Sequence, residues 1–475
     1  MVSAPEARMG TVQRIAGLTT VVALLVCPSI GQATGFRIVD QSASATGQAS
    51  AFTAQADDAS AVYYNPAGMT QLRRVQVSLG TLLIGGSTSF TSPTGVNARG
   101  DFGGSVAYPP PTNLYITANL KDLGVNFLGD LTAGLAVLSP FGTLQRYPNN
   151  GPFATSVTRA ALELFDIKPT LAYKVNDQLS LGLGLDIYTF FNFWGEGQAE
   201  IKFNSAGAPF NPLVPAGTPL EINGRDTALG FNASLMYTPL RNAEGKPRLN
   251  VGLIYRSQAV LDLKGQLLAN GTVAADTRFP IVLPTVITGG IAYWPVRDQD
   301  REWKLEVDLD YTRWSSFRNT DVHLSLAPPF NVVAFPRNWK STYSPMVGTE
   351  YKWLRPARLP HWEVAVRGGY WYGPNAVPDS TFSPSVPDSD NHALSIGLGL
   401  LCKEKGRFLG LFECGNQGGG KFRPMAIGLD LAYQALLYDT RTVNGSQPPL
   451  AAPGTNDGTY KTTYHIGSIN LRVNF

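Results

Sequence analysis

The sequence predicts an all-β protein: a transmembrane antiparallel β-barrel of about fourteen strands, with a small N-terminal plug, or hatch, inside the lumen. Three observations predict it. An export signal opens the chain, period-two alternation of apolar and polar residues runs from Arg73 to Phe475, and short polar turns alternate with longer loops rich in Gly and Pro. Composition agrees without deciding. A net charge of +3 over 475 residues leaves no basic surface to assign to nucleic acid. A mean hydropathy of -0.05 looks soluble, but strands that alternate lipid-facing apolar with lumen-facing polar residues give the same value. Beyond the N-terminus no apolar run is long enough for a membrane helix.

Residues 1–33 have the features of a secretory signal. Arg8 and Arg14 supply the basic region, Ile15 to Val26 the apolar core, and Gly31-Gln32-Ala33 a small-residue cleavage site, so the mature chain is expected to start at Thr34. Cys27 follows Val26, which is bulkier than lipoprotein processing accepts. Residues 34–72 are rich in Ala, Ser, Gly, Gln and Thr, too small and polar to bury a core of their own. They need a container. Within them Asn65 offers a capping oxygen, Pro66 suits a first helical position, and Ala67 to Leu72 extend one turn. An ordinary capped turn has the same sequence. Its place between an export signal and a long train of strands makes it a candidate plug, with the barrel expected over 73–475.

The alternation is plainest where Trp303, Leu305, Val307, Leu309 and Tyr311 share one face and Lys304, Glu306, Asp308 and Asp310 the other. It recurs in Leu179 to Ile187 and in Ile427 to Tyr433. A soluble sandwich and a membrane barrel both give this pattern. About fourteen segments show it: 73–91, 111–121, 130–142, 160–175, 178–200, 222–239, 247–264, 281–296, 301–325, 340–354, 361–374, 391–403, 422–438 and 459–475. Their connections discriminate. Short turns such as 176–177, 241–246 and 297–301 alternate with loops 92–110, 201–221, 326–339 and 439–458, as periplasmic turns and external loops do. Trp294, Trp303, Trp353 and Trp362 flank short turns and Trp194, Trp314 and Trp371 lie toward the other strand ends, which predicts two aromatic girdles.

The run Asp57 to Met69 (DDASAVYYNPAGM), with its Asn65-Pro66-Ala67 core after an export signal and before strands that end at Phe475, resembles the FadL-type outer-membrane transporters of long-chain fatty acids and hydrocarbons. The third segment and the WSSF run, Trp314 to Phe317, support the resemblance, which spans the mature chain. It implies location in the outer membrane of a Gram-negative bacterium, with lipid and lipopolysaccharide around the barrel. The last strand places His465, Gly467, Ile469, Leu471, Val473 and Phe475 on one face, and this aromatic ending resembles the signal read by the barrel-assembly machinery.

Catalysis finds no support in the residues. His323, His361, His392 and His465 belong to no triad or metal pattern, and no cofactor or metal is implied. An outer-membrane barrel enzyme acting on lipids and a water-filled porin are the alternatives from other classes. Binding is better supported. Leu326 to Pro336 and Ala208 to Leu220 carry apolar residues where external loops are normally polar, with Phe330, Val333 and Phe335 as candidates to capture a hydrophobic small molecule. Loops packed on one another or on lipopolysaccharide fit the same residues. Ser139-Pro140-Phe141-Gly142 closes the third segment, and proline with glycine marks a bulge, edge or break. In the resembled family this strand kinks there and opens the wall sideways above the plug, which implies passive diffusion with lateral release. Arg337, with Lys340, suits a fatty-acid carboxylate. The aromatic run Tyr188, Phe190, Phe191, Phe193, Trp194 lacks the arginine that fatty-acid members carry there, which leaves an aromatic or aliphatic hydrocarbon as the competing substrate. Cys402 and Cys414 form a possible disulfide if exported, and two free thiols if not.

Overall fold

Period-two sequence with β-branched and aromatic residues makes strands, and the computed structural model arranges fourteen of them into a closed barrel. It describes residues 35–192, 195–415 and 423–475; the export signal, Thr34, Phe193 and Trp194 lie outside the described residues. The barrel strands, β1 to β14, are Val75–Thr91, Thr112–Asn119, Leu131–Leu138, Phe165–Lys174, Leu179–Thr189, Ala228–Arg241, Pro247–Arg256, Val286–Arg297, Arg301–Thr312, Thr342–Trp353, Trp362–Gly373, Asn391–Lys403, Ala426–Tyr438 and Gly458–Asn474. Each pairs antiparallel with the next. β14 returns to β1, from Gln76↔Asn474 to Thr91↔Thr459, so the barrel sheet has no free edge.

Side-chain burial separates the barrel from the sandwich. On β9 Leu305, Val307 and Leu309 are 40, 48 and 51 % exposed, whereas Lys304, Glu306 and Asp308 are each 1 % exposed. A soluble core would reverse this. Apolar side chains facing out and ions facing in suit a lipid exterior and a polar lumen.

At one rim the connections are short, as at 175–178, 242–246 and 298–300. At the other, the loops build a second, eight-stranded sheet from Gly142–Arg146, Arg159–Glu163, Ala199–Asn204, Pro219–Gly224, Ala259–Ala269, Thr272–Leu283, Val322–Leu324 and Val332–Val333. Seven of the alternating segments, for example 178–200 and 301–325, therefore cover a barrel strand and part of this outer sheet. The period of two holds on both sides of the boundary, with a slip of phase between Arg256 and Ala259 and between Leu283 and Val286, because one face of each strand is covered in both places, by the lumen below and by an apolar core under the loops above.

The aromatic girdles are only partly as expected. Trp303 and Trp353 face outward, 38 and 40 % exposed, but Trp294 and Trp371 point into the lumen and Trp314 is buried in a 3-10 turn, Trp314–Ser316. Face, not strand end, decides. Trp294 shares its face with Thr288 and Ala292, and Trp371 with Arg367. Trp294 packs on Ala54, with the Arg297 guanidinium 4.3 Å from its ring centre.

Residues 35–72 occupy the lumen in two short helices, Ala43–Thr46 and Ala61–Tyr64, and a 3-10 turn, Pro66–Gln71. Asn65 caps the last through its side-chain oxygen, which accepts from Ala67 N, and donates to Thr53 O and Leu235 O. So short a segment pairs only part of its own backbone, and the wall takes up much of the rest. Asp308 accepts from the amides of Phe52 and Thr53, Glu306 from Ala54 and Gln55, Asn470 from Ala43, and Ser234 from Ala67. The contact is backbone on backbone at Gly252, where a Cβ would lie 2.3 Å from Thr53 O. Only glycine fits there.

Candidate functional site

β3 stops at Leu138. Its ladder to β2 ends at Leu114↔Val137 and its ladder to β4 at Leu138↔Asp166. Pro140 has no amide to continue the ladder. The chain resumes as Gly142–Arg146, paired with Arg159–Glu163 in the outer sheet. Among the described residues Pro109–Pro111 and Ser139–Gly142 thus face each other across the wall without a ladder.

Backbone groups freed at this break are taken up by the N-terminal tail. Ile38 N donates to Pro140 O at 2.9 Å, Gly142 N donates to Phe36 O at 2.9 Å, and Gln41 Nε2 donates to Ser139 O at 3.0 Å. The tail is itself tied to β9, where Arg37 Nη1 lies 2.7 Å from Asp310 Oδ1 and 3.0 Å from Thr312 Oγ1. Break and tail form one unit.

Two cavities meet there. The first, about 190 Å³, lies between the tail and the break, lined by Gly35 to Asp40, Pro109–Pro111, Ser139, Phe141, Gly142, Leu144 and Leu164. The second, about 140 Å³, lies under the outer sheet, lined by Ile281, Phe317, Phe335, Arg337 and Trp339. Phe36, Thr143, Leu162 and Val386 line both. Phe36 is the main partition, with Trp314, Phe317, Trp339 and Phe141 ring centres 4.9 to 5.9 Å away. Such edge contacts hold a ring in place without fixing it covalently.

Arg337 is the cation on the second cavity, which Glu200, itself paired with Arg159 and Lys202, also lines. Its Nε donates to Thr320 Oγ1 at 3.0 Å, its guanidinium lies 5.9 and 6.0 Å from the Phe335 and Phe317 ring centres, and it makes no ion pair among the described residues. Burial lowers its pKa to about 10, so it keeps its charge at neutral pH.

Of the residues singled out in the sequence, Phe335 and Arg337 line the second cavity and Ser139, Phe141 and Gly142 the first. Phe330, 38 % exposed, and Val333 sit at the outer rim, where Val333 pairs with Val322. Tyr188 lies behind the break, 6.0 Å from the Phe141 ring, and Phe190 packs on the same apolar core; neither touches the cavities. Lys340 is exposed. Cys402 and Cys414 are joined in a disulfide at the short-turn rim, away from both cavities. Sequence reasoning missed Phe36, Leu162, Phe317 and Trp339. A signal existed for Phe36, a large aromatic in a segment of small polar residues.

The family model described as outer membrane protein transport protein (OMPP1/FadL/TodX) matches residues 24–406. The long-chain fatty acid transport proteins of Salmonella typhi and Escherichia coli K12 are each 26 % identical to the chain, over 399 and 412 residues, covering 79 % of it and 86 % of their own length. Among solved structures, a Pseudomonas aeruginosa FadL homologue superposes with a TM-score of 0.69 at 18 % identity, over 93 % of this chain and all (100 %) of its own. The Pseudomonas putida toluene transporter TodX gives 0.59 at 14 % identity, over 94 and 98 %. These likenesses extend the shared fold to both. The chain therefore belongs to the OMPP1/FadL/TodX family of outer-membrane transport proteins, whose members move hydrophobic molecules and are channels, not enzymes.

Proposed function

We propose that the protein carries long-chain fatty acids across the outer membrane by passive diffusion, with residues 34–72 as a plug and the β3 break as a lateral exit. The observation that carries this is Arg337, a cation without a carboxylate partner on an apolar cavity that adjoins a second cavity at the break. Substrate gathers at Phe330 and Val333 near the lipopolysaccharide surface and seats its carboxylate on Arg337. Its chain lies along Phe317, Phe335 and Ile281. Each methylene removed from water is worth about 0.8 kcal/mol. Movement of the tail, which carries Phe36 with it, joins the cavities, and the substrate leaves between Pro109–Pro111 and Ser139–Gly142 into lipid. A route straight down the lumen would return the methylenes to water among Lys304, Glu306 and Asp308. No energy source is needed where the cell consumes the substrate.

A neutral hydrocarbon is the second reading, favoured by the apolar lining of the first cavity and by the relatedness in fold to a toluene transporter. Uptake of labelled oleate and labelled toluene by cells without a carrier of their own tests both. Gly142→Arg is the diagnostic variant, since a Cβ there already lies 3.1 Å from Leu162 O and 3.4 Å from Ile38 Cδ1. Loss of uptake with a normally assembled barrel is expected. Undiminished uptake in Gly142→Arg removes the lateral exit.

A further inference from the structure

The β12–β13 connection differs from the other turns at its rim. After Lys403 it forms a small hairpin, Arg407–Phe408 paired with Phe412–Glu413, closed at its base by Cys402–Cys414. On β12 the outward face is marked by Leu394, Ile396 and Leu398, which are 52, 64 and 38 % exposed; Cys402 continues that face yet is fully covered. Ile427 likewise continues the face of Leu431 and Tyr433 on β13 and is only 6 % exposed. What covers both is the hairpin. Phe408 packs with Cys402, Cys414 and Ile427, and its ring centre lies 6.1 Å from that of Trp362. The hairpin is therefore folded back onto the lipid-facing side of the wall and does not hang below the lumen.

Its tip is apolar and uncovered. Leu409, Leu411 and Phe412 are 73, 77 and 58 % exposed, and a Cβ on Gly410 would meet no atom within 4 Å. Leu409 has φ 51°, a conformation bulky residues avoid, in the three-residue loop Leu409-Gly410-Leu411, where Leu411 N donates to Phe408 O. A polar residue or glycine would turn here at lower cost. The neck carries exposed cations, Lys405, Arg407 and Arg423, and two exposed carboxylates, Glu404, which lies 3.1 Å from Arg355, and Glu413, which lies 3.8 Å from Arg407.

We propose that this hairpin is an interfacial anchor whose Leu409, Leu411 and Phe412 enter the phospholipid leaflet at the short-turn rim, with Arg407 and its neighbours at the headgroup phosphates. The occupant is lipid because the hairpin rests on the wall's own lipid-facing surface, so its tip continues that belt, while the cations sit at the neck, where an interfacial segment places them. The disulfide holds the two arms together at the point where they leave the wall.

The test uses the full chain in vesicles of phosphatidylethanolamine and phosphatidylglycerol with no other protein present. Leu411→Cys, and Leu409→Cys as a second position, carry a fluorescent label; Val307→Cys in mid-belt and Asn270→Cys at an outer loop tip are the references. Folding of each variant is checked by its heat-dependent gel shift. The expected result is quenching of the Leu411 and Leu409 labels by shallow nitroxide lipids, with iodide quenching several-fold weaker than at Asn270. Labels at both positions that iodide reaches as readily as at Asn270, with no quenching by nitroxide lipid, overturn the proposal and leave the tip as a surface for a protein.

Discussion

At Arg337 the guanidinium is held by one hydroxyl and two ring faces, none of which neutralises it. A substrate carboxylate would be its first ionic partner among the described residues, and a charge-assisted hydrogen bond of this kind contributes about 1.5–3 kcal/mol. Arg337→Gln is therefore expected to weaken oleate binding roughly 10- to 100-fold by that measure, with toluene uptake unchanged. Titration of labelled oleate into the purified variant reads it. Equal loss of both substrates would make Arg337 a loop-packing residue. Asp388, in the β11–β12 loop, is the other charge of consequence. Burial raises its pKa to about 7, with Ala376 N donating to Oδ2 and Arg441 Nη1 donating to its backbone oxygen. A folded pKa above the unfolded value of 3.8 means that the folded loop binds the proton more tightly. Its contribution is complete at low pH and is lost as pH rises toward 7. Amide exchange over residues 374–390, corrected for intrinsic rates, should show protection falling across that window, and Asp388→Asn should flatten the profile.

Between the residue and the barrel stands the pairing of tail and β3. The tail takes up the backbone groups that the end of the β3 ladder leaves free, so under the proposed lateral release opening the wall there and moving the tail are one event. Arg37 fastens it from the opposite side of the lumen. Removing one partner of a buried ion pair costs about 3–5 kcal/mol, and Arg37→Ala leaves Asp310 alone. The expected outcome is faster exchange at the Ile38 and Gly142 amides, with faster uptake of whichever substrate the protein carries; unchanged exchange at Gly142 would separate the tail from the break. A break at Ser139–Gly142 was one of the readings the sequence allowed, beside a bulge or an edge, because Pro140 has no amide for a ladder; proline alone does not decide, since Pro169 and Pro345 lie inside β4 and β10. The partner of the break was not legible, because nothing in Phe36 to Gln41 encodes a contact with residues about a hundred positions on. The outer sheet was hidden for a different reason: the period of two is the same above and below the boundary, and the slip of phase after Arg256 and after Leu283 was its one mark there. The misplaced tryptophans were recoverable, as the parity of Trp371 with Arg367 assigns it to the lumen.

For the molecule as a whole, fourteen strands were legible because the pleat writes its period into every one, and the alternation of short and long connections oriented them. What a period cannot say is which face is wet. That was carried by the connections and the export signal: a soluble sandwich would set Lys304, Glu306, Asp308 and Asp310 in water as readily as a barrel sets them in its lumen. The inversion gives a pair of opposite expectations for neighbouring positions. In a soluble protein Val307, 48 % exposed, would accept a charge and Lys304, 1 % exposed, would welcome replacement by an apolar residue. Here Val307→Arg puts a charge into hydrocarbon and is expected to cost about 2–4 kcal/mol near the bilayer midplane. Lys304 lies 2.7 Å from Glu306 Oε2, and Lys304→Met strands a carboxylate that also accepts from Ala54 and Gln55, a loss of about 3–5 kcal/mol. Urea unfolding in phospholipid vesicles, followed by tryptophan fluorescence, measures both. If Val307→Arg unfolds as the parent does, the exposed apolar face is not in lipid and the barrel's orientation to its solvent has been read inside out.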